Sequence, residues 1–330
     1  MTLYYSGSDS HGGLSELALW RGTGHGLERI GALALRSPSW VEPHPRLPIL
    51  YATQESEPGA VIVVEAGPDG SLHERQRVPS HGALPCHLAV DETGARLVVS
   101  NYLDGTVAAW SLASDGAIEE PAAVWQLSGS GPVAGRQEGS HAHLAHPRHN
   151  DILVADLGAD AVVAVSPGGG QHVEAALPPG FGPRHFVMIG DDRAVLVGEL
   201  SAELALIELR GPGSRVLDLV PATRSGGAQP SGITARGNDV IVANRVVGTI
   251  AAFAVEGDRL VAGEEIRLPG DNPRAITSDA RHTYVCVQDA GCIATYVAGE
   301  GDAPRLTPAP HVSDFGVIPW SRAFGRPPLG

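Results

Sequence analysis

The chain contains no lysine, so all 23 of its fixed cationic side chains are arginines. That absence removes a P-loop phosphate site and any Schiff-base mechanism, both of which need an amine. Asp and Glu outnumber Arg by 37 to 23, giving a formal net charge of −14, and no basic run interrupts the acidic field. Such a field repels polyanions, and neither nucleic acid nor a membrane is an expected partner. An anionic ligand fits only where a few arginines converge locally. Cysteine is scarce as well: Cys86, Cys286 and Cys292 form an odd set with no CxxC spacing. Cys286 and Cys292 could meet across a hairpin, but reduced thiols are the simpler reading. No apolar stretch approaches the length of a membrane span. MTLYYSGSDS has neither the basic nor the apolar region of a secretory signal. The expectation is a cytoplasmic protein.

What the chain has in quantity is turn residues, 42 Gly and 26 Pro, alongside 43% hydrophobic residues. That mixture suits many short strands. Seven apolar runs each end in a small polar motif: LYYSGS, LYATQE, LVVSNY, ILVADL, VLVGEL, VIVANR and YVCVQD. Anchored on Gly7, Gln54, Asn101, Asp156, Glu199, Asn244 and Gln288, they recur at gaps of 47, 47, 55, 43, 45 and 44 residues. Although 330 residues would ordinarily suggest two domains, a strand repeat of this period makes one closed unit, a β-propeller.

Residues 83–127 show the unit. PCHLAVDE reads as a first strand, RLVVSNY as a buried second, and Asp104-Gly105 as a tight hairpin turn into TVAAWSL. IEEPAAVWQL follows as an outer strand, where Pro121 suits a sheet edge. Six segments follow this order, while the N-terminal one begins in mid-unit at LYYSGS. PHVSDFGVI near the C-terminus resembles PCHLAVDE and can supply the missing strand. The predicted fold is an all-β, seven-bladed propeller of four-stranded antiparallel blades in one domain over 1–330. A C-terminal strand in the N-terminal blade closes the ring, leaving a loose tail over about 321–330.

Several first strands begin with polar groups that a blade does not need: Cys86-His87, His141-Ala142-His143, Arg184-His185, Arg274 and His311. Second-strand ends add Asn101, Asp156, Glu199 and Asn244-Arg245. Both positions lie at one end of a propeller's channel, so residues remote in sequence converge there and make an anion-binding acid–base site. Asn101, Asp156 and Asn244 also have a plain role as turn formers. The His141/His143 pair would share a strand face, with His87, His185 or Asp156 as a third ligand, but the spacing is incomplete for a metal. No metal or cofactor is expected. Arg184 and Arg245 would each be costly at a channel wall without an anionic partner, either a ligand or Glu199 or Asp156.

PSWVEPHP…LYATQE, PCHLAVDETGARLVVSNYLDGTV, GSGP…RQEGSHAHLAHP…ILVADLGAD, GFGPRHFVMIGDD, VANRVVGTIAAF and NPRAI, in that order, resemble the lactonase family of seven-bladed propellers. That family includes propeller-type 6-phosphogluconolactonases and is related to 3-carboxy-cis,cis-muconate lactonising enzymes. The resemblance covers nearly the whole chain. It implies an active site of a His, a Glu and two Arg, carried over to His141 or His143, Arg184, Glu199, and either Arg245 or Arg274. Gly198 stands where the family often has Asn, and the end after residue 300 is short and reworked.

The implied function is hydrolysis of a sugar lactone, with a small anionic lactone or sugar acid as ligand. His143, Arg184, Glu199 and Arg245 are the catalytic candidates, with Glu199 or His143 as base and Arg184 at the oxyanion. His87, Asn101, His141, Asp156, His185 and Arg274 are the substrate-contacting ones. A muconate-type cycloisomerase and a non-enzymatic binding platform are the alternatives on the same scaffold.

Overall fold

The computed structural model describes residues 3–9, 14–23, 26–166, 168–297, 305–309 and 312–318. The tail expected over 321–330 and His311 lie outside them. Among the described residues, twenty-eight strands pair into seven antiparallel four-stranded sheets. Blade 1 combines Leu3–Ser8, Leu14–Thr23 and Gly26–Arg36 with the C-terminal Val312–Ile318 as its innermost strand. Blades 2 to 7 begin with the innermost strands Val41–Pro43, Pro85–Val90, Ala142–Arg148, Pro183–Met188, Gln229–Arg236 and Pro273–Ser278. Each then runs outward through three consecutive strands.

The apolar runs are nearly continuous because the middle strands of a blade are buried on both faces. Leu97 and Val99 pack toward blade 2, whereas Val98 between them packs toward blade 4. Outer strands such as Leu72–Pro79 and Arg259–Arg267 have neighbours on fewer sides and are largely exposed. Each pair of adjacent blades encloses its own buried apolar cluster, and there are seven such clusters among the described residues. An open row of seven blades would have six, so the seventh, between blades 7 and 1, closes the ring. Fully burying one Leu or Val contributes about 1.5–3 kcal/mol, so each cluster is a substantial seal.

Closure follows the expected exchange. Leu3 pairs with Ile318 and Tyr5 with Gly316, which takes the strand Leu3–Ser8 off the sheet edge. Tyr4 stacks on Phe315 and shares a 2.7 Å hydrogen bond between hydroxyls with Tyr284 of blade 7. Asp314 accepts the Val41 N–H of blade 2 at 2.8 Å. Cys286 and Cys292 are free thiols on adjacent strands one position out of register, since Cys286 faces Ile293 and Cys292 faces Val287. They therefore point to opposite blade faces and join different clusters.

Candidate active site

Six innermost strands carry a register irregularity near their start, and its repetition builds the site. The strand skips Cys86 in blade 3, His143 in blade 4, Arg184-His185 in blade 5, Ser231-Gly232 in blade 6, Arg274 in blade 7 and Ser313 in blade 1. An extra residue in one strand re-aims its side chain out of the ladder. Cys86, His143, Arg184, His185, Arg274 and Ser313 all line one pocket of about 130 Å³ at the channel mouth.

The second wall comes from a residue at or just past the end of four of the second strands. Gln54, Asp156, Gly198, Asn244 and Val287 are structurally equivalent, each opposite the first residue of the third strand, and Asn101, opposite Pro85 as Gly198 is opposite Pro183, is their counterpart in blade 3. One position on, Glu55, Tyr102, Glu199 and Arg245 line the same pocket. A single step along a strand reverses the side chain, so the equivalent residues before them point elsewhere. The fully buried Asn101 donates to Ser80 O at 3.0 Å, and Asn244 donates to Ala222 O at 2.9 Å. Asp156 accepts the N–H groups of His141, Gly158 and Ala159.

At the centre, Glu199 is 5% exposed and meets three guanidiniums. Arg136 Nη2 donates to Oε1 at 2.6 Å and Arg184 Nη1 to Oε2 at 2.7 Å. Arg245 Nη2 stands 2.9 Å from Oε2. Its N–H bonds do not aim at that oxygen, so this contact is ionic, and the buried nitrogen has no hydrogen-bond partner among the described residues. Burial alone would raise the Glu199 carboxyl, but Arg184, Arg245 and Arg136 outweigh it and hold it at about 2. Arg245 shows the converse: burial and then Arg184 push its guanidinium down to about 10 despite Glu199. Arg274 completes the cationic wall, with Asp9 at 3.9 Å. The arginine side chains grade from deep to rim, at 10% exposed for Arg184, 14% for Arg245, 25% for Arg274 and 34% for Arg136.

His143 Nε2 lies 2.6 Å from Arg184 Nη1. Arginine only donates, so Nε2 is the acceptor and the ring is neutral with its proton on Nδ1. Burial, followed by Arg184, lowers its proton affinity well below that of a free imidazole. His185 is lowered by the same causes. Its ring stands 5.3 Å from Trp40 and 5.8 Å from His87, forming the pocket floor with Trp40. His87 lies against Trp40 at 4.3 Å and does not line the pocket.

His141 also lies outside it, stacked on Tyr102 with its Nδ1 2.8 Å from Tyr102 O. The skipped residue at His143 breaks the alternation that would have put the two histidines on one face. Among the described residues no group of three or more His, Cys, Asp or Glu is placed to hold a metal ion. The structure thus brings together His143, Arg184, Glu199, Arg245, His185 and Arg274, and keeps His87, Asn101, His141 and Asp156 out of the pocket lining.

Sequence reading missed Arg136 and Glu55. Arg136 belongs to the irregular segment between blades 3 and 4, whose one signal is the 55-residue gap in the repeat. Buried Gln137 pins that segment, donating to Leu157 O at 2.8 Å and Asp160 Oδ1 at 2.7 Å while accepting the Val133 N–H. Asp160 also accepts the N–H groups of Gly180 and Gly182, joining the segment to blade 5. Glu55 was legible in principle, one residue beyond the Gln54 anchor.

A family model described as "Lactonase, 7-bladed beta-propeller" matches residues 3–306. A 6-phosphogluconolactonase of Bacillus subtilis (strain 168) is 29% identical over 271 residues, 77% of this chain and 77% of that protein. A solved structure of a protein from Lactobacillus plantarum has a TM-score of 0.84 at 25% identity, covering 96% of this chain and 100% of the other. The periplasmic gluconolactonase of Pseudomonas aeruginosa has a TM-score of 0.85 at 21% identity, covering 96% and 99%. At that identity the likeness speaks to the fold alone.

Proposed function

Because the chain belongs to the lactonase family of seven-bladed β-propellers, we propose that it hydrolyses a phosphorylated sugar lactone, 6-phosphogluconolactone, to the open sugar acid. The observation that carries the anionic part of this reading is the imbalance in the pocket. Four arginines face fewer carboxylates, and the buried Arg245 Nη2 and Arg184 Nε lack hydrogen-bond partners among the described residues. Burying unpaired guanidinium N–H groups is costly unless an anion completes them. The name of the Bacillus subtilis relative supports the choice of lactone.

Opening an ester ring needs charge stabilisation at the carbonyl oxygen and an activated water. Arg184, the deepest guanidinium, is assigned to the developing oxyanion. Arg245 and Arg274 are assigned to the substrate's anionic groups, with Arg274 nearer the rim. The pocket of about 130 Å³ is small beside the roughly 300–1,000 Å³ of common ligand sites, so it takes the reacting end and leaves the rest of the sugar at the mouth. Glu199, engaged on both oxygens, organises the guanidiniums, and neutral His143 fixes Arg184 from the other side. Free thiols at all three cysteines fit a reducing, cytoplasmic compartment.

The test is lactone opening followed by acid release at constant pH, with freshly prepared 6-phosphogluconolactone and glucono-δ-lactone. The phosphorylated substrate should be opened far faster than in buffer and with the higher kcat/KM. If neither lactone opens faster than in buffer, the reading is lost.

A further inference from the structure

We propose that Glu55 is the general base that activates the hydrolytic water, an assignment that rests on the lactone-hydrolase reading. Glu55 and Glu199 occupy the same position, one residue past the second strand, in blades 2 and 5. Both line the one pocket, from well-separated blades of the ring. Their surroundings differ in kind. Glu199 is buried with guanidiniums at both oxygens, which stabilise its charged form and make it a weak base toward water. His143 is unavailable, since its Nε2 accepts from Arg184.

Glu55 is partly exposed to the pocket, and its backbone is tied down by an N–H donated to Ser37 O at 3.0 Å. The groups facing it are Ser39 of blade 2, Arg274 of blade 7, Asp9 of blade 1, Arg184 of blade 5 and Cys86 of blade 3. Burial raises its carboxyl, while Ser39, Arg274 and Arg184 lower it too little to cancel the rise, and Asp9 adds to it. Two carboxylates in one site with proton affinities driven apart take different roles, the weaker base holding charge and the stronger one moving a proton.

The step balances. Glu55 takes a proton from water as the water oxygen bonds to the lactone carbonyl carbon, giving a tetrahedral oxyanion facing Arg184. Collapse breaks the bond from that carbon to the ring oxygen, and protonated Glu55 returns its proton to the departing alkoxide. The new carboxylic acid then ionises, releasing one proton per turnover.

The experiment compares wild-type protein with Glu55→Gln on 6-phosphogluconolactone across pH, with phosphate-induced thermal stabilisation as a measure of the anion site. Removal of a general base should lower kcat by about 10²–10⁴-fold with KM changed less than about threefold. The wild-type kcat/KM should rise with pH along a limb above that of a free glutamate, and the variant should lack this limb. Glu55→Ala should recover rate in proportion to added formate. Both variants should keep the phosphate-induced shift. Activity of Glu55→Gln within threefold of wild type, with the limb intact, would overturn the assignment and leave lactone hydrolysis standing. Loss of the phosphate shift together with the rate would make Glu55 part of the arginine scaffold and overturn it as well. A wild-type protein that opens no lactone would remove both readings.

Discussion

Replacing Glu199 by Gln keeps the shape of the side chain and removes the one charge that three arginines share. Its carboxyl is held at about 2 against an ordinary 4.5. At about 1.4 kcal/mol per tenfold change in proton affinity, that difference corresponds to roughly 3 kcal/mol of stability. The group is 5% exposed, so solvent screening removes little of it. Breaking a buried pair also leaves the partner charges uncompensated, which costs about 3–5 kcal/mol in comparable cases. The expected loss for Glu199→Gln at pH 7 is therefore on the order of 3 kcal/mol or more.

The pH dependence gives the sharper check. A carboxyl lowered by folding stabilises the protein above its unfolded pKa, and that contribution is lost as pH falls toward the folded value. Between pH 7 and pH 3 the unfolded Glu199 becomes protonated while the folded one stays charged. The stability gap between wild type and variant should therefore narrow by roughly 2 kcal/mol. Urea unfolding followed by tryptophan fluorescence at the two pH values reads both quantities. Inorganic phosphate should stabilise the variant more than the wild type, because the freed guanidiniums accept an external anion. A gap below about 1 kcal/mol at pH 7, or one unchanged at pH 3, would refute the view that Glu199 is the counter-charge of this cluster.

Two further predictions concern the scaffold. Burial pushes the Asp314 carboxyl in the ring-closing strand up to about 7, and burial followed by Asp314 pushes Glu42 of blade 2 up to about 8. A raised carboxyl stabilises below its unfolded pKa and loses that contribution as pH rises toward the folded value, here between about 4 and 8. Asp314, the more buried of the two, should make wild type lose about 2–3 kcal/mol between pH 5 and pH 8 relative to Asp314→Asn in urea unfolding; parallel curves would contradict it. Gln137→Ala removes the pin beneath Arg136 and should lower kcat/KM by about tenfold, roughly 1.4 kcal/mol. In a double-mutant cycle it should add nothing to Arg136→Ala, whereas independent losses would show that Gln137 does not act through Arg136.

The propeller was legible because its cause repeats: each blade needs doubly buried middle strands, and each blade writes the same apolar run. Closure was legible for the complementary reason, an incomplete first unit and a spare strand at the other end. The site was legible only in part, because anchoring the repeat on polar letters placed Glu199 in line with Asn101, Asp156 and Asn244. Pairing aligns Gly198 with them instead and puts Glu199 beside Tyr102, Arg245 and Glu55. In a strand that one-residue difference separates a turn former from a pocket residue.

The irregularity in the inner strands also left a trace in the sequence. Proline stands at or near the first position of four of them, as Pro85, Pro183, Pro230 and Pro273. A residue without an N–H marks where a ladder starts or is interrupted, and in each case the skipped residue follows it. Arg136 left no comparable trace, because a loop placed by one buried glutamine has no period to betray it. The pocket therefore rests on two rules that repeat, an inner-strand residue freed from the ladder and an outer one just beyond it, and on one exception. The rules bring in Arg184, Arg245, Arg274 and both glutamates. The exception marks which glutamate is the more heavily paired: Arg136 reaches Glu199 from outside the repeat, whereas Glu55 faces Ser39, Arg274 and Arg184 without it.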